Sequence, residues 1–132
     1  MAERIPILVV DDDPDFLELV EYYLRLAGFR VSLADNGPEA LEKAKKSPPA
    51  VILLDTTMPG MDGLEVLSEL RHDPVTELIP VFMLTGRTKI GDIDQAFDIG
   101  ASDYITKPVE LAKLGAIVKA KLEKLKVSPK SK

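Results

Sequence analysis

The chain has no cysteine and only one histidine among its 132 residues. Without cysteine, disulfides and thiolate chemistry are excluded, and a reducing compartment fits the lack. Long apolar runs are also missing. The first one follows Met1-Ala2-Glu3-Arg4 and stops at Val10, too short and too acidic in its flank for a secretory signal. No segment approaches membrane-spanning length, so a cytoplasmic protein without a membrane partner is expected. Positive charge is short as well: 17 Lys and Arg face 22 Asp and Glu, a net charge of −5. That balance repels a nucleic-acid backbone, and no direct nucleic-acid binding by this chain is expected. The basic residues crowd one place, Lys113 to Lys132, where a solvated helix face is the plain reading and a basic docking surface the sharper one.

What remains is ordinary globular material, with 45% apolar and 30% charged residues, enough for one domain with its own core. The apolar residues are distributed as short runs. Ile7-Leu8-Val9-Val10 leads into Asp11-Asp12-Asp13, Val51-Ile52-Leu53-Leu54 ends at Asp55, and Val81-Phe82-Met83-Leu84 ends at Thr85. Tyr104-Ile105-Thr106 ends at Lys107-Pro108, and Phe29 to Ala34 alternates loosely. Runs of this length between helix-like segments read as buried parallel strands.

The segments between them carry helix signals. Asp13 and Pro14 open a helix with Phe16, Leu17, Val20, Tyr23, Leu24 and Ala27 inward, closed by Gly28. Asn36-Gly37-Pro38 opens a second, which Ser47-Pro48-Pro49 ends. Asp62 and Glu65 have capping-box spacing for a third, which Asp73-Pro74 breaks. A fourth covers Ile90 to Ile99. The fifth follows Pro108 and is expected to bury Leu111, Leu114, Ile117, Val118, Leu122 and Leu125. A strand is expected over Ile79 to Leu84. Five βα units make a three-layer α/β/α sandwich with right-handed crossovers.

In an open parallel sheet the C-terminal strand ends share one rim, and ligands bind there. Asp11, Asp12 and Asp55 would then converge and repel, which raises a pKa or demands a counter-ion. Hard oxygen donors suit Mg²⁺, whereas zinc and copper prefer nitrogen and sulfur. The alternative is that these acids cap loops and helices. A carboxylate can also act as nucleophile toward phosphorus, and Asp55, beside a Gly-rich loop, is the best placed. The Lys107 ammonium would neutralise phosphoryl oxygens, and the Thr85 hydroxyl would donate to one of them. Lys107-Pro108, a rigid turn with a candidate cis peptide, would aim the lysine inward.

Asp11-Asp12, Asp55 with Met58-Pro59-Gly60-Met61-Asp62-Gly63, Thr85-Gly86 and Lys107-Pro108 together resemble the receiver domain of two-component response regulators. The resemblance implies a receiver domain over residues 1–127, with 128–132 a tail or linker stump. It implies a flavodoxin-like, doubly wound (βα)5 sheet of order 2-1-3-4-5. It further implies that Asp55 accepts a phosphoryl group from a sensor histidine kinase or histidine phosphotransfer protein. Asp12 and Asp55 would ligate Mg²⁺ directly, the Thr57 carbonyl would add a ligand, and Asp11 would act mainly through water. Thr85 and Tyr104 would form a switch pair that alters the surface of the fourth helix, last strand and last helix. Through that surface a downstream effector domain or target protein would be controlled, with a phosphorylation-dependent homodimer as one outcome. Such a domain is not an enzyme beyond weak self-phosphorylation and autodephosphorylation. Thr57 and Arg87 flank the expected path of hydrolytic water and would tune phosphate lifetime. Gly86 departs from the alanine common in receivers.

Two rivals differ in class. A phosphatase resembling the haloacid-dehalogenase family would use Asp11 as nucleophile and Asp13 as acid/base, but leaves Asp55 without a role. A phosphorylation-silent docking module of the same fold would not need the acidic pocket. A flavin site fails because Asp11 to Pro14 has no Gly, Ser or Thr phosphate cradle. His72, between Arg71 and Asp73, reads as a surface residue at a helix end.

Overall fold

A computed structural model describes residues 4–58, 60–86 and 90–127. The expected tail at 128–132, Pro59 and Arg87 lie outside these described residues. Five strands are found: β1 Ile5–Val10, β2 Phe29–Ala34, β3 Val51–Asp55, β4 Val81–Thr85 and β5 Asp103–Thr106. They alternate with α1 Pro14–Leu26, α2 Gly37–Lys46, α3 Gly63–Arg71, α4 Ile90–Ile99 and α5 Leu111–Val127. All strand pairs are parallel and the order is β2-β1-β3-β4-β5. This is the doubly wound flavodoxin-like sheet, with its order reversing beside β1 and β3.

The period of two in each strand divides the core into halves. Leu8, Val10, Ile52, Leu54, Val81 and Met83 face α2, α3 and α4. Their neighbours Ile7, Val9, Val51, Leu53, Phe82 and Leu84 face α1 and α5. Every residue of β3 and β4 is buried, which is why these runs are continuous rather than alternating. Helix starts follow the expected caps. Asp13 accepts from the Asp15 and Phe16 amides, Asn36 from Glu39, and Asp62 with Glu65 completes the reciprocal capping box.

Two expectations need correction. β4 begins at Val81 rather than Ile79, because the Ile79 amide closes a turn onto Thr76 O at 3.1 Å and Pro80 has no amide to give a ladder. Leu125 is 39% exposed, whereas Leu114 and Val118 are fully buried. The last turns of α5 lie beside the strand beginnings, where an open groove with Ile5, Pro6, Ala50 and Pro80 replaces a covering layer. Among the described residues no helix is long and apolar enough to cross a membrane.

Candidate functional site

Parallel pairing brings the ends of β1, β3, β4 and β5 to one rim. Asp11 follows β1, held by its amide on Ala34 O at 3.1 Å, and is 1% exposed. Each of its carboxylate oxygens has a partner: Oδ1 accepts from the Asp13 amide at 3.0 Å and Oδ2 from Lys107 Nζ at 2.9 Å. Asp55 closes β3 and is also buried, with its Oδ1 3.4 Å from the same Nζ. Asp12 is exposed at the mouth. One carboxylate oxygen from each of Asp11, Asp12 and Asp55 falls within 4.8 Å of the others. Three hard oxygen donors this close match what a small divalent cation such as Mg²⁺ takes from protein.

Lys107 reaches the acids from one residue beyond β5. Its amide extends the β4–β5 pairing onto Thr85 O at 2.8 Å, and the peptide joining it to Pro108 is cis. The ammonium also stands 4.9 Å above the Phe16 ring, whose face attracts the cation. Burial works against the charge on Lys107, but the hydrogen bond and charge of Asp11, with Asp55, outweigh it and raise its pKa. Asp55 is shifted the other way in stability terms. Burial first, then the neighbouring Asp11 charge, push its pKa up, against the lowering effects of Lys107 and of the Thr57 amide on its carboxylate. The rim thus holds more negative charge than its one lysine neutralises.

Thr85 ends β4 and is buried, and its Oγ1 accepts a hydrogen bond from Thr56 Oγ1 at 3.1 Å. Met83 pairs with Tyr104 in the β4–β5 register, so Tyr104 shares a sheet face with Met83 and Thr85. Tyr104 is half-buried, meets Phe97 edge-on with centroids 6.1 Å apart, and lines with Thr85 a cavity of about 10 Å³. That cavity holds at most about one water.

Asp11, Asp12, Asp55, Thr85 and Lys107 therefore meet at one rim, and Tyr104 lies under it. Thr57 is exposed beside Asp55 and touches its carboxylate through the backbone. Asp13, the acid/base residue of the phosphatase reading, is occupied as the α1 cap. His72 stands at the exposed end of α3, its Nδ1 2.7 Å from Ser68 O.

Three contributors were not foreseen. Thr56 supplies the hydroxyl that meets Thr85, and Phe16 supplies the ring under Lys107. Gly63 lets α3 start against β3, with its amide on Thr56 O at 3.1 Å. A Cβ there would stand 2.1 Å from Asp55 O, far inside contact distance. Of the three, only Gly63 carried a sequence signal, as the last residue of a glycine-rich turn after a strand.

A doubly wound parallel sheet with this acidic crevice at its strand ends defines a class of α/β domain whose chemistry sits at the rim. A model of the response regulator receiver domain family matches residues 7–119. The transcriptional regulatory protein PrrA of Mycobacterium leprae is 44% identical over 118 residues, covering 89% of this chain and 50% of PrrA. The response regulator PleD of Caulobacter vibrioides is 44% identical over 120 residues, 91% of this chain and 26% of PleD. The chain thus spans half or less of these relatives' lengths. In structure, chemotaxis response regulator CheY4 of Vibrio cholerae superposes with a TM-score of 0.84 at 30% identity, covering 89% of this chain and 98% of CheY4. A CheY-like receiver domain protein from Methanospirillum hungatei gives 0.84 at 28% identity, over 94% and 98% of the two chains. The chain belongs to the response regulator receiver domain family. Receiver domains are signalling domains of two-component systems rather than enzymes in the usual sense.

Proposed function

We propose that this chain accepts a phosphoryl group on Asp55, from the phosphohistidine of a sensor histidine kinase or of a phosphotransfer protein. The observation that carries this reading is the buried Asp55 carboxylate, destabilised by burial and by Asp11, with the Lys107 ammonium 3.4 Å away. An Asp55 oxygen bonds to phosphorus as the donor's P–N bond breaks, and the imidazole leaves with the electron pair. Lys107, now shared by Asp11 and Asp55, turns toward the new phosphoryl oxygens. Asp11, Asp12 and Asp55 with the Thr57 carbonyl would hold Mg²⁺, which would supply charge neutralisation for the phosphoryl oxygens. The chain's own catalysis stays weak, since positioning and charge are all it offers.

The Thr85 hydroxyl donates to a phosphoryl oxygen and gives up its place beside Thr56. Tyr104 then turns into the cavity it already borders, and the surface of α4, β5 and α5 changes. To move this equilibrium from 1:99 to 99:1, phosphorylation must favour the switched state by about 5.5 kcal/mol. The changed surface controls a partner or an effector domain, or pairs with a second phosphorylated copy. The relatives named as transcriptional regulators, about twice the matched length, support an effector as the output. A cytoplasmic location follows from partners of this kind.

The test is intact mass after incubation with acetyl phosphate and Mg²⁺. One added phosphoryl group that requires Mg²⁺ and is lost in Asp55→Asn is expected. Label kept in Asp55→Asn and lost in Asp11→Asn would transfer the role to Asp11 and restore the phosphatase reading.

A further inference from the structure

Outside the rim, one cavity is lined by three cations and no carboxylate, in a chain whose net charge is negative. It lies on the α2 side of the sheet, between the outer half of β2 and the last turns of α2, with a volume of about 310 Å³. That is within the usual range for small-molecule sites. The β1–β2 register sets Pro6 beside Arg30 and Leu8 beside Ser32, so Arg30 and Ser32 share the face that Leu8 presents to α2. Helix α2 covers Leu8 but leaves Arg30 and Ser32 exposed, and Lys43 and Lys46 border the opening from the helix side.

The charges here are unevenly satisfied. Lys43 is tied to Glu39 at 3.2 Å and to the Leu33 carbonyl. Arg30 and Lys46 have no ion pair or hydrogen-bond partner among the described residues. No carboxylate lines the cavity, although acids outnumber bases 22 to 17 in the chain. Pro6 and Pro49 add apolar wall, and Ser32 and Ser47 add hydroxyls. An added β-strand fits this edge less well than a small ligand. The outward carbonyls of Phe29 and Leu33 are already taken by Arg4 and Lys43.

We infer that this cavity binds a small phosphomonoester carried on a flat apolar body, the chemistry of a mononucleotide. The Arg30 fork and the Lys46 ammonium take the phosphate, the serines add hydrogen bonds, and the prolines face the flat body. The site is separate from the acidic rim and needs no divalent cation.

The experiment is an amide-shift titration of the ¹⁵N-labelled chain with AMP in EDTA, beside adenosine and inorganic phosphate. Saturable shifts at Arg30, Ser32, Ser47 and Lys46 are expected with AMP and are weaker with either fragment. Arg30→Ala and Lys46→Ala are expected to weaken AMP binding about tenfold each, the loss of one charge-assisted contact. Both variants still take label on Asp55, so failure here is distinct from failure of the acceptor reading. Absence of saturation, shifts centred on the rim, unchanged binding in both variants, or fragments binding as tightly as AMP would each overturn the inference.

Discussion

The middle of the sheet and the two inner acids of its C-terminal rim are both buried but carry opposite chemistry. Leu53, Leu54 and Phe82 are 0% exposed, and one or two residues further along the strands Asp11 and Asp55 are 1% and 5% exposed. The apolar middle gains stability from every side chain removed from water. The rim loses it, because two buried carboxylates share one lysine and burial itself pushes Asp55 toward its neutral form. A fold that placed leucine at both positions would be more stable and would have no carboxylate there. In the proposed reading, the rim is where stability is given up for phosphoryl transfer.

That contrast can be broken in graded ways. Leu53→Ala empties a site in the middle and is expected to cost about 3 kcal/mol in urea unfolding. Gly63→Ala forces a Cβ against the Asp55 carbonyl and is expected to cost about 2 kcal/mol, with amide shifts centred on Thr56. Lys107→Ala strands the buried Asp11 carboxylate. With the lysine side chain 30% exposed, a loss of about 1.5 kcal/mol is expected, recovered in part by Mg²⁺. A loss from Lys107→Ala that matched Leu53→Ala and ignored Mg²⁺ would erase the distinction between the regions.

Asp55→Asn is the substitution expected to stabilise, by about 1 kcal/mol at neutral pH without divalent cations. Its pH dependence follows from the raised pKa. The folded state keeps a proton that the unfolded state, near 3.8, releases first, so wild-type stability falls as pH rises through that window. The gain from Asp55→Asn is therefore absent in acid below that window and complete above the raised value. Lys107 slopes the same way in a higher window: its contribution is present below 10.5 and is lost as pH rises through its raised pKa.

The convergence of Asp11, Asp55, Thr85 and Lys107 was legible before any coordinates. Each ends or follows an apolar run, and parallel topology carries all such ends to one rim. The bounds of β2, β3 and α4 were legible for a similar reason, since Gly, Pro and Asn punctuate them. Contacts between elements were not. The Thr56–Thr85 hydroxyl pair depends on the β3–β4 register, and the Phe16–Lys107 stacking joins residues 91 positions apart in sequence. Leu125 misled because helical spacing marks a face without saying where the sheet beneath it stops.

The measurement that tests this account most directly is urea unfolding of wild type and Asp55→Asn, each with and without Mg²⁺. Without Mg²⁺ the Asn variant should be the more stable, and adding Mg²⁺ should stabilise wild type by the larger amount. An Asn variant less stable than wild type in metal-free buffer, with Mg²⁺ leaving both unchanged, would contradict the claim that the rim carries unbalanced negative charge.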